Sequence, residues 1–366
     1  MKKRITWIDS LKGIAILAVV MIHSGAGSLP SFLGKIGNIG KNGVQLFFLI
    51  STFLAFQSYN KYIKKEKNID YRTILKWFKQ KIIKLIPLYY LALILSFLIT
   101  GGSSFWLGRE GHITVLNLLS HIFFIHGFFP HYVDSIITVE WYLSILIFIY
   151  LIIPFLHKYI NNLSKAISSF IIITVACEII KMILSRVLLF NYDVNIYNSF
   201  VYDFLFINHL PVILLGIILY YTFDRFKFDR VENKKILSYS LLFISGLLVL
   251  AEAFSLNGLL FFSDKTRFGI FFFVIIISQK IYNTKIIDNI IFNYIGRYTY
   301  SIYLFHKLII YLYDKYFSIN INNHVTVSWL IKYIIVVSIS LLLSIILDKF
   351  FDKPISKYIN KKMQLN

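Results

Sequence analysis

Apolar residues fill this chain in runs of about 18–22 residues, separated by connections that hold most of the charge. Ten such runs predict ten helices, over roughly 11–29, 40–58, 85–101, 139–157, 166–186, 203–222, 236–252, 267–281, 298–316 and 328–347. Helices are the expected form because a segment in lipid has to satisfy its own backbone hydrogen bonds. The fold class is therefore all-α, a polytopic integral membrane bundle of about ten helices. It forms one domain over 1–366 with no appended soluble domain. The connection 102–137 is the longest on its side and is rich in Gly, Phe and His. Its stretch 113–129 is apolar enough for a re-entrant or interfacial helix.

A few polar residues interrupt the runs. In the first, Lys12 and His23 stand eleven residues apart, which on a helix separates them by roughly 16 Å. Lysine is thereby expected near one face of the bilayer and histidine towards its middle. In the ninth, Arg297 precedes His306 by nine residues, or about 14 Å. Two helices running in the same direction thus each carry a cation at the inner rim and a histidine deeper. Ionisable groups at such depth are costly and mark cavities or pathways. A cationic rim suits an anionic ligand such as a nucleotide pyrophosphate. An imidazole suits proton abstraction near neutral pH. The bland readings are a helix-packing histidine and a snorkelling boundary lysine.

Composition narrows the class further. Hydrophobic residues make up 57% of the 366 and charged residues only 15%, too few for a soluble domain of this size. The formal charge of +20 would suggest nucleic acid, but its distribution excludes that reading. With the N-terminus inside, twenty-seven Lys and Arg fall in cytoplasmic connections. They include Lys2, Lys3, Arg4 and a basic stretch over 61–84. Six fall outside: Lys35, Lys41, Arg109, Lys265, Arg267 and Lys315. That asymmetry places both termini in the cytoplasm. The start of the chain imitates a signal peptide, but Asp9 and Lys12 extend its polar lead-in and nine spans follow, so it is retained as the first helix. The lone Cys177 excludes an intramolecular disulfide and thiolate metal sites. His112, His121, His126 and His131 lack the spacing of closed zinc sites, so no metal is expected; an acceptor-binding or interfacial role is expected instead. Glu178 and Lys181, three apart, are expected to pair along one helix. Asp203 and Glu252 are expected only to mark span ends.

The motifs together resemble the acyltransferase 3 family of membrane-bound acyltransferases. Lys12 followed by ten residues and His23 resembles its signature. Gly43-Val44-Gln45-Leu46-Phe47-Phe48 leading to Ser51-Thr52-Phe53 is similar to its second-span run. Lys81-Ile82-Ile83-Lys84 before Pro87 resembles its basic lead into span three. Trp141-Tyr142-Leu143-Ser144 with Pro154 resembles its tryptophan motif, and Tyr300-Ser301-Ile302-Tyr303-Leu304-Phe305-His306 completes the set. There are departures. Lys12, Lys81 and Lys84 stand where arginine is commoner, Gln45 replaces an acid and Thr52 a glycine. The acid five residues after the tryptophan is Leu146 here, with Glu140 just before Trp141 instead.

The resemblance implies transfer of an acyl group, most often acetyl from acetyl-CoA or another acyl-CoA, to a hydroxyl of a cell-surface carbohydrate. It implies residence in a bacterial cytoplasmic membrane. His23 and His306 are then the candidate catalytic residues, and Lys12, Arg297, Lys81 and Lys84 the candidate cofactor-binding cations. Asp9, Ser51, Glu140, Trp141 and Ser301 are supporting candidates. The rival class is a transporter or flippase for a glycan or acyl intermediate, with the same residues as its polar pathway. Its usual repeat symmetry is not visible.

Overall fold

A computed structural model describes residues 5–66, 69–103, 111–187, 194–254, 262–319, 321 and 324–365. Of the cations used above for orientation, Lys2, Lys3, Arg4, Lys67 and Arg109 lie outside the described residues. In chain order the helices begin with α1 (Thr6–His23), α2 (Ser31–Ile39), α3 (Gly43–Ile63), α4 (Tyr71–Ile82), α5 (Ile86–Thr100), α6 (Val115–Ile122), α7 (Trp141–Tyr159) and α8 (Leu163–Val187). Then come α9 (Val194–Ser199), α10 (Leu210–Arg225), α11 (Lys234–Ala253), α12 (Asp264–Ile281), α13 (Ile290–Arg297), α14 (Thr299–Tyr316), α15 (Val325–Leu347) and α16 (Lys353–Leu365). No β-sheet occurs among the described residues.

Every expected span is occupied by a helix, but not all of these helices suffice to cross a membrane. Six stretches are long and apolar enough, and α4 with α5 makes a seventh if that pair, bent by 47°, is one span. The rest fall short for physical reasons. α10 has 16 residues. α12 carries Asp264, Lys265, Arg267 and Lys280, and α14 carries Lys307, Asp314 and Lys315. On α8, large apolar side chains such as Ile171, Ile172, Val175 and Ile179 are exposed. Lipid is the solvent such a surface fits.

Two helices break where continuity was expected. The first begins earlier than predicted and ends at His23, because Gly25 takes a left-handed φ of 98° that an L side chain resists. Arg297 and His306 lie on separate helices: α13 ends at Arg297 and α14 starts after Tyr298. Elsewhere local chemistry sets the boundaries. Asp70 caps α4 by accepting from the Thr73 amide at 2.8 Å, and Asn289 caps α13 through the Phe292 amide at 3.0 Å. Pro87 sits in the first turn of α5, where its missing amide is no loss. The apolar stretch in 113–129 yields only the short α6, amphipathic and two turns long.

The chain divides into two compact units, residues 1–50 with 222–347 and residues 51–221 with 348–366. In the first, α1 lies against α13, α14, α15 and α2. Its contact with α13 is backbone to backbone: a Cβ on Gly13 would strike the Phe292 carbonyl, and one on Gly296 would strike that of Asp9. Small residues permit such approach where lipid supplies no hydrophobic drive between helices. Polar ties add to it. Asn293 donates to the Thr6 carbonyl at 2.9 Å, Tyr333 to that of Leu17 at 3.2 Å, and Ser238 to that of Ser278 at 2.9 Å. In the second unit α4 packs on α7, with Trp77 fully buried against Tyr59. Glu178 and Lys181 on α8 pair at 2.7 Å, as their spacing predicts.

Asp288, just ahead of α13, ties the start of α1 to that connection. It accepts from Thr6 Oγ1 at 2.6 Å, Ser10 Oγ at 3.0 Å and Asn283 Nδ2 at 2.6 Å. Burial pushes its pKa up, but the bonds from Asn283, Thr6 and Ser10 outweigh this and hold it below the usual carboxylate value. A carboxyl with a lowered folded pKa stabilises the protein above its unfolded pKa, and that contribution is lost as pH falls through the folded one. Asp288→Asn is expected to lower stability at pH 7 by about 1 kcal/mol, modest because the group is part-exposed. Its deficit relative to wild type should vanish in acid, as followed by thermal unfolding in detergent from pH 7 to pH 3. Gly296→Ala is expected to cost about 1–3 kcal/mol by forcing α13 off α1. The same unfolding assay checks it, with a solvent-facing Ser→Ala control.

Candidate active site

The two histidines singled out from sequence meet. His23 Nδ1 lies 2.8 Å from His306 Nε2, with the rings stacked at 5.1 Å between centroids and 15° between planes. α1 delivers His23 from its last residue and α14 delivers His306 from mid-helix. His306 is fully buried and His23 partly exposed.

The hydrogen bonds assign the protons. His306 Nδ1 faces the carbonyl oxygens of Tyr303 at 2.8 Å and Ile302 at 3.1 Å. A carbonyl only accepts, so Nδ1 carries the proton and Nε2 is left as acceptor. His23 must then donate from Nδ1 to His306 Nε2, which leaves His23 Nε2 with its lone pair. The helix backbone thus sets the tautomer of one imidazole, and that imidazole sets the other. A base held by an orienting partner is the arrangement needed to activate a hydroxyl. Tyr303 packs against both His306 and Phe47, at 6.0 and 6.3 Å between ring centroids.

The remaining candidates of this unit are placed as follows. Asp9 and Lys12 form an ion pair at 3.9 Å within α1, Asp9 buried and Lys12 partly exposed. Arg297 is exposed at the end of α13, its Nε and Nη2 donating to Asn293 Oδ1 at 3.1 and 2.9 Å. Lys12 and Arg297 thus ride on helices packed directly together. Ser301 is buried on α14 and its Oγ has no hydrogen-bond partner among the described residues.

In the second unit, Lys84 is exposed in the bend between α4 and α5, while Lys81 lies over the Trp77 ring at 5.4 Å. Ser51 bonds the Tyr142 hydroxyl at 3.0 Å. Trp141 packs edge-on to Phe204 and against His209.

Glu140 anchors a cluster that sequence reasoning left dispersed. Its Oε1 accepts from His121 Nε2 and the Ile136 amide, and its Oε2 from the Val139 amide, each at 2.9 Å. His121 Nδ1 faces the Asn117 carbonyl at 2.9 Å, so both its ring nitrogens donate. His126 stacks on His121 at 4.1 Å and donates from Nε2 to the Glu140 carbonyl at 3.1 Å. All three side chains are fully buried, which corrects the interfacial role expected for His121 and His126. They are core polar groups clamping 123–140 onto α6 and α7. The available signal was an acid immediately before an apolar helix, with His121 and His126 among the histidines within twenty residues of it. Glu252 was likewise expected only to mark a span end, but it pairs with buried Arg267. No group of three or more His, Cys, Asp or Glu suited to a metal occurs among the described residues.

The fold is that of an integral membrane protein, and its first unit brings two histidines from distant helices into contact. The chain belongs to the acyltransferase 3 family: the model of its acyltransferase domain matches residues 5–349. Comparison with curated proteins finds no match. The family makes the chain a membrane acyltransferase, using an acyl donor and an acceptor substrate.

Removing one partner of a buried charged pair strands the other, so Glu140→Ala is expected to cost about 3–5 kcal/mol. Glu140→Gln keeps a carbonyl acceptor and should cost clearly less. Unfolding midpoints of the two variants in detergent check this; equal losses would show that the hydrogen bonds from His121 and the amides are not what stabilises the segment.

Proposed function

We propose that the protein transfers an acyl group, foremost acetyl from cytoplasmic acetyl-CoA, to a hydroxyl of a cell-surface polysaccharide or glycolipid. The observation that carries this reading is the His23–His306 dyad with its unprotonated His23 Nε2. His23 Nε2 takes the proton of the acceptor hydroxyl as its oxygen attacks the thioester carbonyl. The C–O bond forms, the C–S bond breaks, and His23 returns the proton to the departing thiolate. While His23 is charged, its Nδ1–H bond to His306 Nε2 strengthens, because a charge-assisted bond replaces a neutral one. His306 acts as the orienting acceptor and stabiliser of that charge.

Lys12 and Arg297, on the packed helices α1 and α13, would bind phosphate of an acyl-CoA, and Lys81 and Lys84 are proposed as phosphate-binding cations within their own unit. The partial or full exposure of Lys12, Arg297 and Lys84 supports this reading, since a polyphosphate approaches from water. The basic asymmetry of the connections supports both termini in the cytoplasm, and residence in a bacterial cell membrane is proposed from the family alone.

The test uses inside-out vesicles supplied with acetyl-labelled acetyl-CoA and reads base-labile label in glycan. His23→Ala is expected to abolish transfer while the protein stays folded; substantial residual transfer removes His23 from the chemistry. His306→Ala is expected to lower kcat by about 10²–10⁴. His306→Gln, whose amide oxygen can still accept from His23 Nδ1, should recover a measurable part of that loss. A glutamine variant as inactive as alanine would instead make His306 a proton carrier.

A further inference from the structure

Apart from the dyad, the first unit holds a polar cavity of about 310 Å³ between α2, the end of α11 and the start of α12. We propose that this cavity binds the acceptor sugar and selects one that carries a negative charge. This rests on the acyltransfer reading above and adds the place and the charge preference of the acceptor.

Four observations carry it. First, the lining is made for hydroxyls: Asn38 and Asn42 offer amides, and Glu252 and Asp264 offer carboxylates. Such a volume, at the lower end for ligand pockets, has room for a sugar ring and its substituents. Second, the floor is rigid. Arg267 grips Glu252 through two bonds, Nε to Oε1 at 2.5 Å and Nη2 to Oε2 at 2.9 Å, with a further bond from Nη1 to the Phe262 carbonyl. Both side chains of that pair are about nine-tenths buried, so they form a fixed polar surface rather than a mobile one.

Third, the charges do not balance. Lys35, Lys41 and Arg267 line the cavity against Glu252 and Asp264, and Lys265 stands beside Asp264 at 3.9 Å. Lys41 reaches Asp264 at 3.6 Å with 60% of its side chain still exposed. Lys35 lies over the Phe254 ring at 5.3 Å, its residue exposed. Two positive charges thus remain in excess, with Lys35 and Lys41 at the rim where an anionic substituent arrives. Fourth, the wall is tied to the dyad. A Cβ on Gly37 would collide with Ala26, one on Gly40 with Ala18 and Ile22, and one on Gly27 with Asn38. α2 is therefore seated against the residues flanking His23, so a ligand on this wall is positioned relative to the base.

The experiment measures equilibrium binding, without acyl donor, to the full-length protein in phosphatidylcholine nanodiscs. The probes are oligogalacturonate and a neutral maltooligosaccharide of equal length. Wild type is expected to bind the charged sugar roughly tenfold more tightly, with an advantage that shrinks as salt rises. The double substitution Lys35→Ala/Lys41→Ala, at exposed positions, should lose about tenfold for the charged sugar and little for the neutral one. Equal binding of the two sugars, no binding of either, or a double variant that binds like wild type overturns the proposal. Loss of oligogalacturonate binding when phosphatidylglycerol replaces phosphatidylcholine would assign the cavity to a lipid headgroup and overturn it too. Because no transfer is involved, binding retained alongside absent acyltransfer overturns the proposed function and the acceptor role resting on it, and leaves the cavity a site for charged sugar. Acyltransfer without binding overturns only this inference.

Discussion

The approach of α1 to α13 until backbone meets backbone is the constraint on which the first unit depends. Gly13 and Gly296 make it possible, since a methyl group at either position would run into a carbonyl of the facing helix. In lipid, apolar side chains gain little by leaving the solvent for each other, so helices associate by close packing and by polar ties. Here both operate at one seam, with Asn293 bonded to the Thr6 carbonyl and Asp288 gathering Thr6 and Ser10. That seam fixes the lower half of α1 and the helix bearing Arg297. The upper end of α1 is fixed differently, by the turn at Gly25 and by α2 folded back on it. His23 is thus held at both ends of its helix.

Each unit gathers some of its buried polar groups into a small hydrogen-bonded set. His121, Glu140 and His126 exhaust most of their hydrogen-bonding capacity on one another and on nearby backbone, which suits a clamp. Glu252 and Arg267 do likewise. The dyad differs in one respect. Its chain of bonds starts on backbone carbonyls, passes through His306 and stops at His23 Nε2, leaving one basic nitrogen unspent. An open end on an otherwise closed network is the observation on which the proposed role of His23 rests.

The sequence on its own determined a good deal: membrane class, all-helical architecture, the placing of helices at ten apolar runs, the family, and the prominence of His23 and His306. These are readable because apolarity over about twenty residues, local spacing and motif order are properties of short stretches. The pairing of Glu178 with Lys181 was legible for the same reason, since three residues make one turn. What tertiary structure alone decided is who meets whom. His23 and His306 are 283 positions apart, and periodicity cannot show that their helices touch. Nor can it show that Tyr298 interrupts the run between Arg297 and His306, that Glu140 finds His121, or that Asp288 holds the start of α1. A contact between distant positions depends on how close two backbones can come, and that is settled by the missing side chains of a few glycines rather than by any pattern along one helix.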